Sequence, residues 1–225
     1  MSKDKPISVV VSTRKIDDEY KKYILNSFNN KDTQLLIYEN DNQYSLCELY
    51  NKGLDESTND IVVFMHDDLI IDTPDLTPKI NHLFKKNSEH GIIGLAGTDN
   101  LISGMWWEDK TSMYGIVNHE ANGQKFTSTY NEQRFNEKVK EVIVIDGLFM
   151  MVHKGRIKNR FNEEFKGFHF YDLPFCLDNF KNGVKIGVTT KIRVTHKSVG
   201  VTNKQWEKNK LFFEAIYGNM FPVVI

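Results

Sequence analysis

The sequence predicts an α/β fold in which a mostly parallel central sheet is flanked by helices, within one folding unit. Three observations carry that prediction. Strand and helix signals alternate over the first ~100 residues at the rhythm of βαβ units. The run Ile61-Val62-Val63-Phe64-Met65 is uninterruptedly apolar, as a strand buried on both faces of a parallel sheet must be. It stops abruptly on His66-Asp67-Asp68, and open α/β sheets hold their ligands at the carboxyl ends of such strands.

The elements follow in order. Ile7 to Val11 reads as the first strand. Asp18 and Glu19 open a helix with Tyr20, Tyr23, Ile24 and Phe28 on one stripe, and Leu35 to Tyr38 gives the second strand. Ser45-Leu46-Cys47-Glu48 is a capping-box pattern ahead of Leu49, Tyr50 and Leu54, and the run at 61 to 65 closes the second crossover. Ile80, Leu83 and Phe84 mark a third helix before a strand at Ile92 to Ala96. Residues 98 to 140 are polar and read as one long irregular segment carrying Met105-Trp106-Trp107, the sort of loop that is usually functional. Strands return at Val142 to Ile145 and Leu148 to Val152. A helix with Phe175, Cys176, Leu177 and Phe180 is closed by Asn182-Gly183. Strands at Val184 to Val188 and Ile192 to Thr195 follow, the latter ending on His196, and a helix spans about Lys204 to Tyr217.

At 225 residues the chain suits one large α/β domain. Its 29 basic residues nearly cancel 30 acidic ones, which argues against a nucleic-acid partner. Lysine patches at Lys85-Lys86 and from Lys204 to Lys210 read as solvated helix faces, with an anionic membrane or phosphorylated ligand as the other reading. Cys47 and Cys176 each fall inside an apolar helical pattern, so burial as small hydrophobes in a reducing cytoplasm is expected. Neither a signal-peptide pattern nor a run of ~18 apolar residues occurs, which limits any membrane association to a peripheral one at the inner face. The apolar end Phe221-Pro222-Val223-Val224-Ile225 reads as a docked tail, a partner surface or a cut segment.

Adjacent carboxylates repel unless a cation or proton lies between them, so Asp67-Asp68 suggests a divalent metal; the plainer reading is a strand end entering a loop. His196 ends another predicted strand, and parallel strand ends share one rim. A carboxylate with an imidazole suits Mn²⁺ better than Ca²⁺, with Mg²⁺ open if phosphate oxygens complete the shell, although a lone His is more often structural. Asp172, just before Leu173-Pro174, looks like a helix N-cap, and a capping role would lower its pKa and weaken it as a base. From the residues alone the cap reading is favoured.

Taken together, these strings resemble the glycosyltransferases of GT-A fold, close to family 2, and in particular their short glycosyltransferase-like branch. The resemblance runs from Ile7 to Gly200 and rests on ordered motifs: Tyr50-Asn51 with Gly53, His66-Asp67-Asp68, Asp146-Gly147-Leu148-Phe149, Phe168-His169-Phe170-Tyr171-Asp172, and His196 at a closing strand end. It implies a single Rossmann-like GT-A domain over residues 1–225, with a nucleotide-binding half at 1–97 and an acceptor-binding, catalytic half at 98–225. It implies a transferase that moves a sugar from a nucleoside diphosphate, UDP expected, to a hydroxyl of a glycan or glycoconjugate with inversion. By the same resemblance Asp68 and His196 hold Mn²⁺ or Mg²⁺, Asp172 is the general base, and Thr13, Glu39, Asn51 and Asp67 line the nucleotide site. Trp106, Trp107, Asp146 and Gly147 fall on the acceptor side, where an indole face can stack on a sugar; core packing is the other reading for the tryptophans. Two positions depart from the pattern: His66 replaces an acid of the broader family, and Pro174 stands where relatives often carry a second acid. The rival readings are a nucleotidyltransferase using the same acids and a catalytically silent glycan-binding module.

Overall fold

The computed structural model describes residues 4–121, 123–131, 139–200 and 202–225. The amino-terminal part runs β1 (Ser8–Thr13), α1 (Asp18–Phe28), β2 (Gln34–Glu39), α2 (Leu46–Glu56), β3 (Ile61–Met65), β4 (Leu69–Ile71), α3 (Leu76–Lys86) and β5 (His90–Gly94). Then come β6 (Ala96–Thr98), β7 (Asn100–Leu101), β8 (Met113–Ala121), β9 (Gln124–Tyr130), β10 (Lys140–Val142), β11 (Val144–Ile145) and β12 (Phe149–His153). The chain closes with α4 (Asp172–Lys181), β13 (Lys185–Val188), β14 (Val194–His196), α5 (Lys204–Tyr217) and β15 (Val223–Val224).

The main sheet has seven strands in the order β10-β13-β5-β12-β3-β1-β2. β1, β2, β3, β5 and β13 point one way, whereas β12 lies antiparallel between β3 and β5, and β10 reverses at one edge. The predicted mostly parallel α/β sheet is therefore present. All five residues of β3 are buried, as expected of a central strand covered on both faces. Phe64, Phe149, Phe175 and Tyr50 lie in one continuous core. The α2 capping box forms as predicted: Ser45 N–H donates to Glu48 Oε2 at 2.7 Å, and Glu48 N–H to Ser45 Oγ at 3.3 Å. Both cysteines are free and buried. Among the described residues no helix is long and apolar enough to cross a membrane.

A second sheet, β11-β6-β8-β14-β4 with β9 on β8, corrects the expectation of one irregular segment at 98 to 140. β8 and β9 form a hairpin paired from Gly115↔Tyr130 to Ala121↔Gln124; residues 132–138 of the segment lie outside the described residues. β9 reads Gln-Lys-Phe-Thr-Ser-Thr-Tyr and is mostly exposed, so it lacks the apolar alternation that marks a half-buried strand. The overlooked signal is Asn122-Gly123 between the strands, with Gly123 at φ +74°. Two predicted strands also divide, at Leu95 and at Ile143, because the chain there crosses from one sheet to the other. Glycine permits the crossing: a β-carbon on Gly97 would run into the carbonyl of Val144.

Candidate functional site

His66, Asp67 and Asp68 fill the three positions between β3 and β4. β4 then pairs antiparallel with β14, placing Leu69 opposite His196. That pairing carries His196 Nε2 to 3.2 Å from Asp68 Oδ1. The expected shared rim of one parallel sheet is thus corrected: Asp68 follows a strand of the main sheet, while His196 ends a strand of the second. His66 joins them, its Nδ1 4.0 Å from the same oxygen, and one donor atom from each of the three lies within 4.8 Å of the others. Asp68 Oδ1 is buried and faces the two imidazoles, His196 Nε2 at 3.2 Å and His66 Nδ1 at 4.0 Å. One carboxylate with two imidazoles is a donor set suited to Mn²⁺. The residues fit a divalent metal.

Electrostatics follow from the packing. Burial works against charge on Asp68, but the adjacent His196 outweighs it and holds the carboxyl at about 2. His196 shifts upward, since its contact with Asp68 overcomes the burial that disfavours its cation. His66 shifts downward, from burial first and the neighbouring His196 second. Its Nε2 lies 2.5 Å from the Tyr171 hydroxyl. In the tautomer where Nε2–H donates to Tyr171, the Nδ1 lone pair faces Asp68, an orienting role typical of partners to metal ligands.

A cavity of about 500 Å³ opens beside this group and is lined in part by Thr13, Arg14, Asn40, Asp67 and Asp68. Thr13 and Asp67 both line this cavity. Glu39 ends β2 but turns aside, its Oε2 accepting the Ile16 N–H at 3.3 Å, and Asn40 faces the cavity instead. Asn51 is buried away from it. Its amide Nδ2 donates to Phe161 O and Glu163 Oε1 at 2.9 and 2.8 Å, and its Oδ1 accepts from Phe161 N at 3.0 Å, so it ties α2 to a distant loop.

A smaller cleft of about 130 Å³ shares His66 with that cavity and is lined by Asp146, Asp172, Trp106, Trp107 and Trp206. Asp172 is the first residue of α4, and Tyr171 holds the cap position, which corrects the capping expectation. Its Oδ1 accepts from Leu173 N and its Oδ2 from Gly147 N, both at 2.9 Å. Burial and then the Asp146 carboxylate push Asp172 up to about 7, against the pull of those N–H groups. Asp146 Oδ1 is engaged by Leu148 N at 3.0 Å. Gly147 is buried behind the cleft and does not line it. A β-carbon there would overlap the Tyr171 ring, so this glycine is what lets Tyr171 reach His66.

The tryptophans divide. Trp106 is 5% exposed and packs edge-on against Tyr130, so its truncation is expected to cost ~3 to 5 kcal/mol of stability. Trp107 is 38% exposed and is the indole that can offer a face to a ligand. Sequence reading passed over Arg14 and Asn40 and gave Tyr171 and His169 no role. Only the last two carried a signal, since they belong to the Phe168-His169-Phe170-Tyr171-Asp172 string that leads into α4; in the structure they flank Phe170, a non-glycine residue at φ +60°.

A family profile described as "Glycosyltransferase like family" matches residues 8–217. No curated protein sequence matches the chain. Among solved structures, GalNAc-T7 crystallised with UDP, GalNAc and Mn²⁺ superposes with a TM-score of 0.58 at 9% identity, over 96% of this chain and 48% of that one. The chain therefore spans about half the length of that neighbour, and the likeness is one of fold: GT-A. A197 from STIV superposes with a TM-score of 0.49 at 9% identity, over 86% of each chain.

Proposed function

The chain belongs to the glycosyltransferase-like family, and on that premise we propose that it is a metal-dependent, inverting transferase of hexosyl or N-acetylhexosaminyl type. The donor is a nucleoside diphosphate sugar, UDP-linked, and the acceptor a hydroxyl of a glycan or glycoconjugate. The observation that carries the reading is the joining of two cavities at His66: a cation-ready cluster opens on one, and an acid of raised pKa lines the other. GalNAc-T7, a protein of the same fold, was crystallised with UDP and Mn²⁺, which supports the choice of nucleotide and metal.

Asp68, His196 and His66 would hold Mn²⁺ or Mg²⁺, which when bound neutralises charge on a departing diphosphate. Arg14 stands at the same cavity and adds a positive charge for the phosphates. The 1–97 half supplies Thr13, Arg14 and Asp67 to the nucleotide, with Asn40 in the cavity wall, and the 98–225 half supplies Asp146, Asp172 and Trp107 to sugar and acceptor. Asp172 takes the proton of the attacking hydroxyl as the carbon–oxygen bond forms on the face opposite the leaving diphosphate. A carboxyl near 7 is matched to that task, because it is substantially ionised at neutral pH yet holds a proton well enough to remove one. Trp107 orients the acceptor ring.

Calorimetry of UDP with Mn²⁺, with Mg²⁺ and with chelator tests the donor half of this reading. UDP is expected to bind much more tightly with metal. Equal affinity with and without metal would sink the metal-dependent assignment.

A further inference from the structure

Beyond the two cavities at His66 lies a third, of about 520 Å³, and Phe168 and His169 form part of the wall of all three. The third groove lies between the turn before α2 and the start of α5. Four amide side chains line it, Asn42, Gln43, Asn203 and Gln205, together with Tyr44 and Phe168. Among the described residues its only charged pair neutralises itself, with Lys166 Nζ 3.5 Å from Glu48 Oε1. That lining contrasts with the acids, imidazoles and arginine of the nucleotide cavity.

The two aromatic residues are open to solvent, Tyr44 at 57% and Phe168 at 37%, yet the backbone that presents them is fixed. Asn40 grips Tyr44 from both sides, its Oδ1 accepting from Tyr44 N at 3.1 Å and its Nδ2 donating to Tyr44 O at 3.0 Å. Asn209 Nδ2 donates to the carbonyls of Lys166 and His169, each at 2.9 Å, and Leu46 N donates to Gly167 O at 2.9 Å. Buried amides thus hold two exposed aromatic residues at the walls of a polar groove. Amides donate and accept hydrogen bonds at once, as sugar hydroxyls do, and aromatic faces match the apolar faces of sugar rings.

We propose that this groove is an acceptor subsite for a neutral oligosaccharide, whose reacting end enters the cleft at Asp172 while its remaining rings lie between Tyr44 and Phe168. The proposal rests on the transferase reading above. The cleft of about 130 Å³ has room for about one ring, and the groove of about 520 Å³ adds space for at least two more. The protein accordingly prefers acceptors of three or more residues over their terminal monosaccharides.

An array of neutral glycans of one to six residues, probed with the protein loaded with UDP and Mn²⁺, tests this. The best ligand is then titrated against the unmodified protein and Tyr44→Ala, with UDP affinity measured on both. At least one glycan of three or more residues is expected to bind ~10-fold or more tightly than its terminal monosaccharide, and Tyr44→Ala is expected to erase that advantage while UDP affinity holds. UDP binding with no dependence on glycan length would overturn the subsite and leave the transferase reading standing. An equal loss of UDP and glycan affinity in Tyr44→Ala would assign the groove to the donor. Absence of UDP binding in the unmodified protein would overturn both. Asn42→Gly, which keeps the left-handed backbone of that position, repeats the test at a second exposed position should Tyr44→Ala express poorly.

Discussion

Asp68 and Asp172 are the same residue in two adjoining cavities, and the fold drives them in opposite directions. Asp68 meets an imidazole 3.2 Å away and is held at about 2; Asp172 meets another carboxylate within a partly buried cleft and rises to about 7. Burial opposes charge in both: at Asp172 it is the larger cause and the Asp146 carboxylate adds to it, whereas at Asp68 the contact with His196 outweighs it. One acid is thereby suited to hold a cation and the other to accept a proton. Pairs of carboxylates whose environments push them apart mark such a division of roles.

The strongest way to break the comparison is Asp172→Asn. Transfer is expected to fall ~10² to 10⁴-fold, since an amide has no useful proton affinity, while UDP binding with Mn²⁺ persists. Steady-state rates alongside UDP calorimetry check it. The amide is not a perfect replacement. Both carboxylate oxygens accept backbone N–H groups, and an Asn offers only one acceptor, so a small loss in thermal midpoint is expected besides. Transfer within a few-fold of the unmodified protein would remove Asp172 as base.

Next in size is Asp68→Ala, expected to weaken metal-dependent UDP binding by ~10²-fold or more and leave metal-independent binding unchanged. Calorimetry with Mn²⁺ and with chelator reads both. Retained metal dependence would move the ligand role to His66 and His196 alone.

Acidity sharpens the contrast further. Transfer is expected to rise about tenfold per unit as pH climbs toward about 7 and then level off, and Asp146→Asn is expected to move that midpoint to lower pH by removing the neighbouring charge. Stability moves in opposite senses at the two acids. The raised Asp172 gives a contribution fully present below 3.8 and lost as pH rises through about 7; the lowered Asp68 gives one present above 3.8 and lost as pH falls through about 2. Rate profiles and thermal midpoints from pH 5 to 8 follow the first of these. A flat rate profile would contradict it.

The smallest expected effect is at Trp107→Ala, where loss of a stacking face should raise the acceptor KM ~3 to 10-fold with donor binding unchanged. A loss of several kcal/mol in stability would make Trp107 a packing residue like Trp106.

The legible parts of the sequence were those encoded locally. α1, α2 and α5 follow from apolar spacing and caps, and β3 from a run that only a doubly covered strand tolerates. The β8–β9 hairpin escaped because its outer strand faces solvent and carries no apolar alternation. At the site, Asp68, His196 and Asp172 were found as motif positions, yet the reason Asp68 and His196 meet was hidden, since β4 and β14 pair across more than a hundred residues. Asn51 misled for a related reason: its partner, Phe161, lies 110 residues away and spends the amide on structure. Asn40 and Arg14 had no motif to mark them and emerge only where β1 and β2 end side by side.

The central claim is that the two aspartates ionise on opposite sides of the ordinary carboxylate range, and a carboxyl-carbon NMR titration of aspartate-labelled, metal-free protein measures that directly. Resonances are assigned by comparison with Asp68→Ala and Asp172→Asn. The Asp172 signal is expected to titrate near 7 and the Asp68 signal to remain ionised down to about 2. Both titrating together near the ordinary aspartate value of ~3.9 would contradict it.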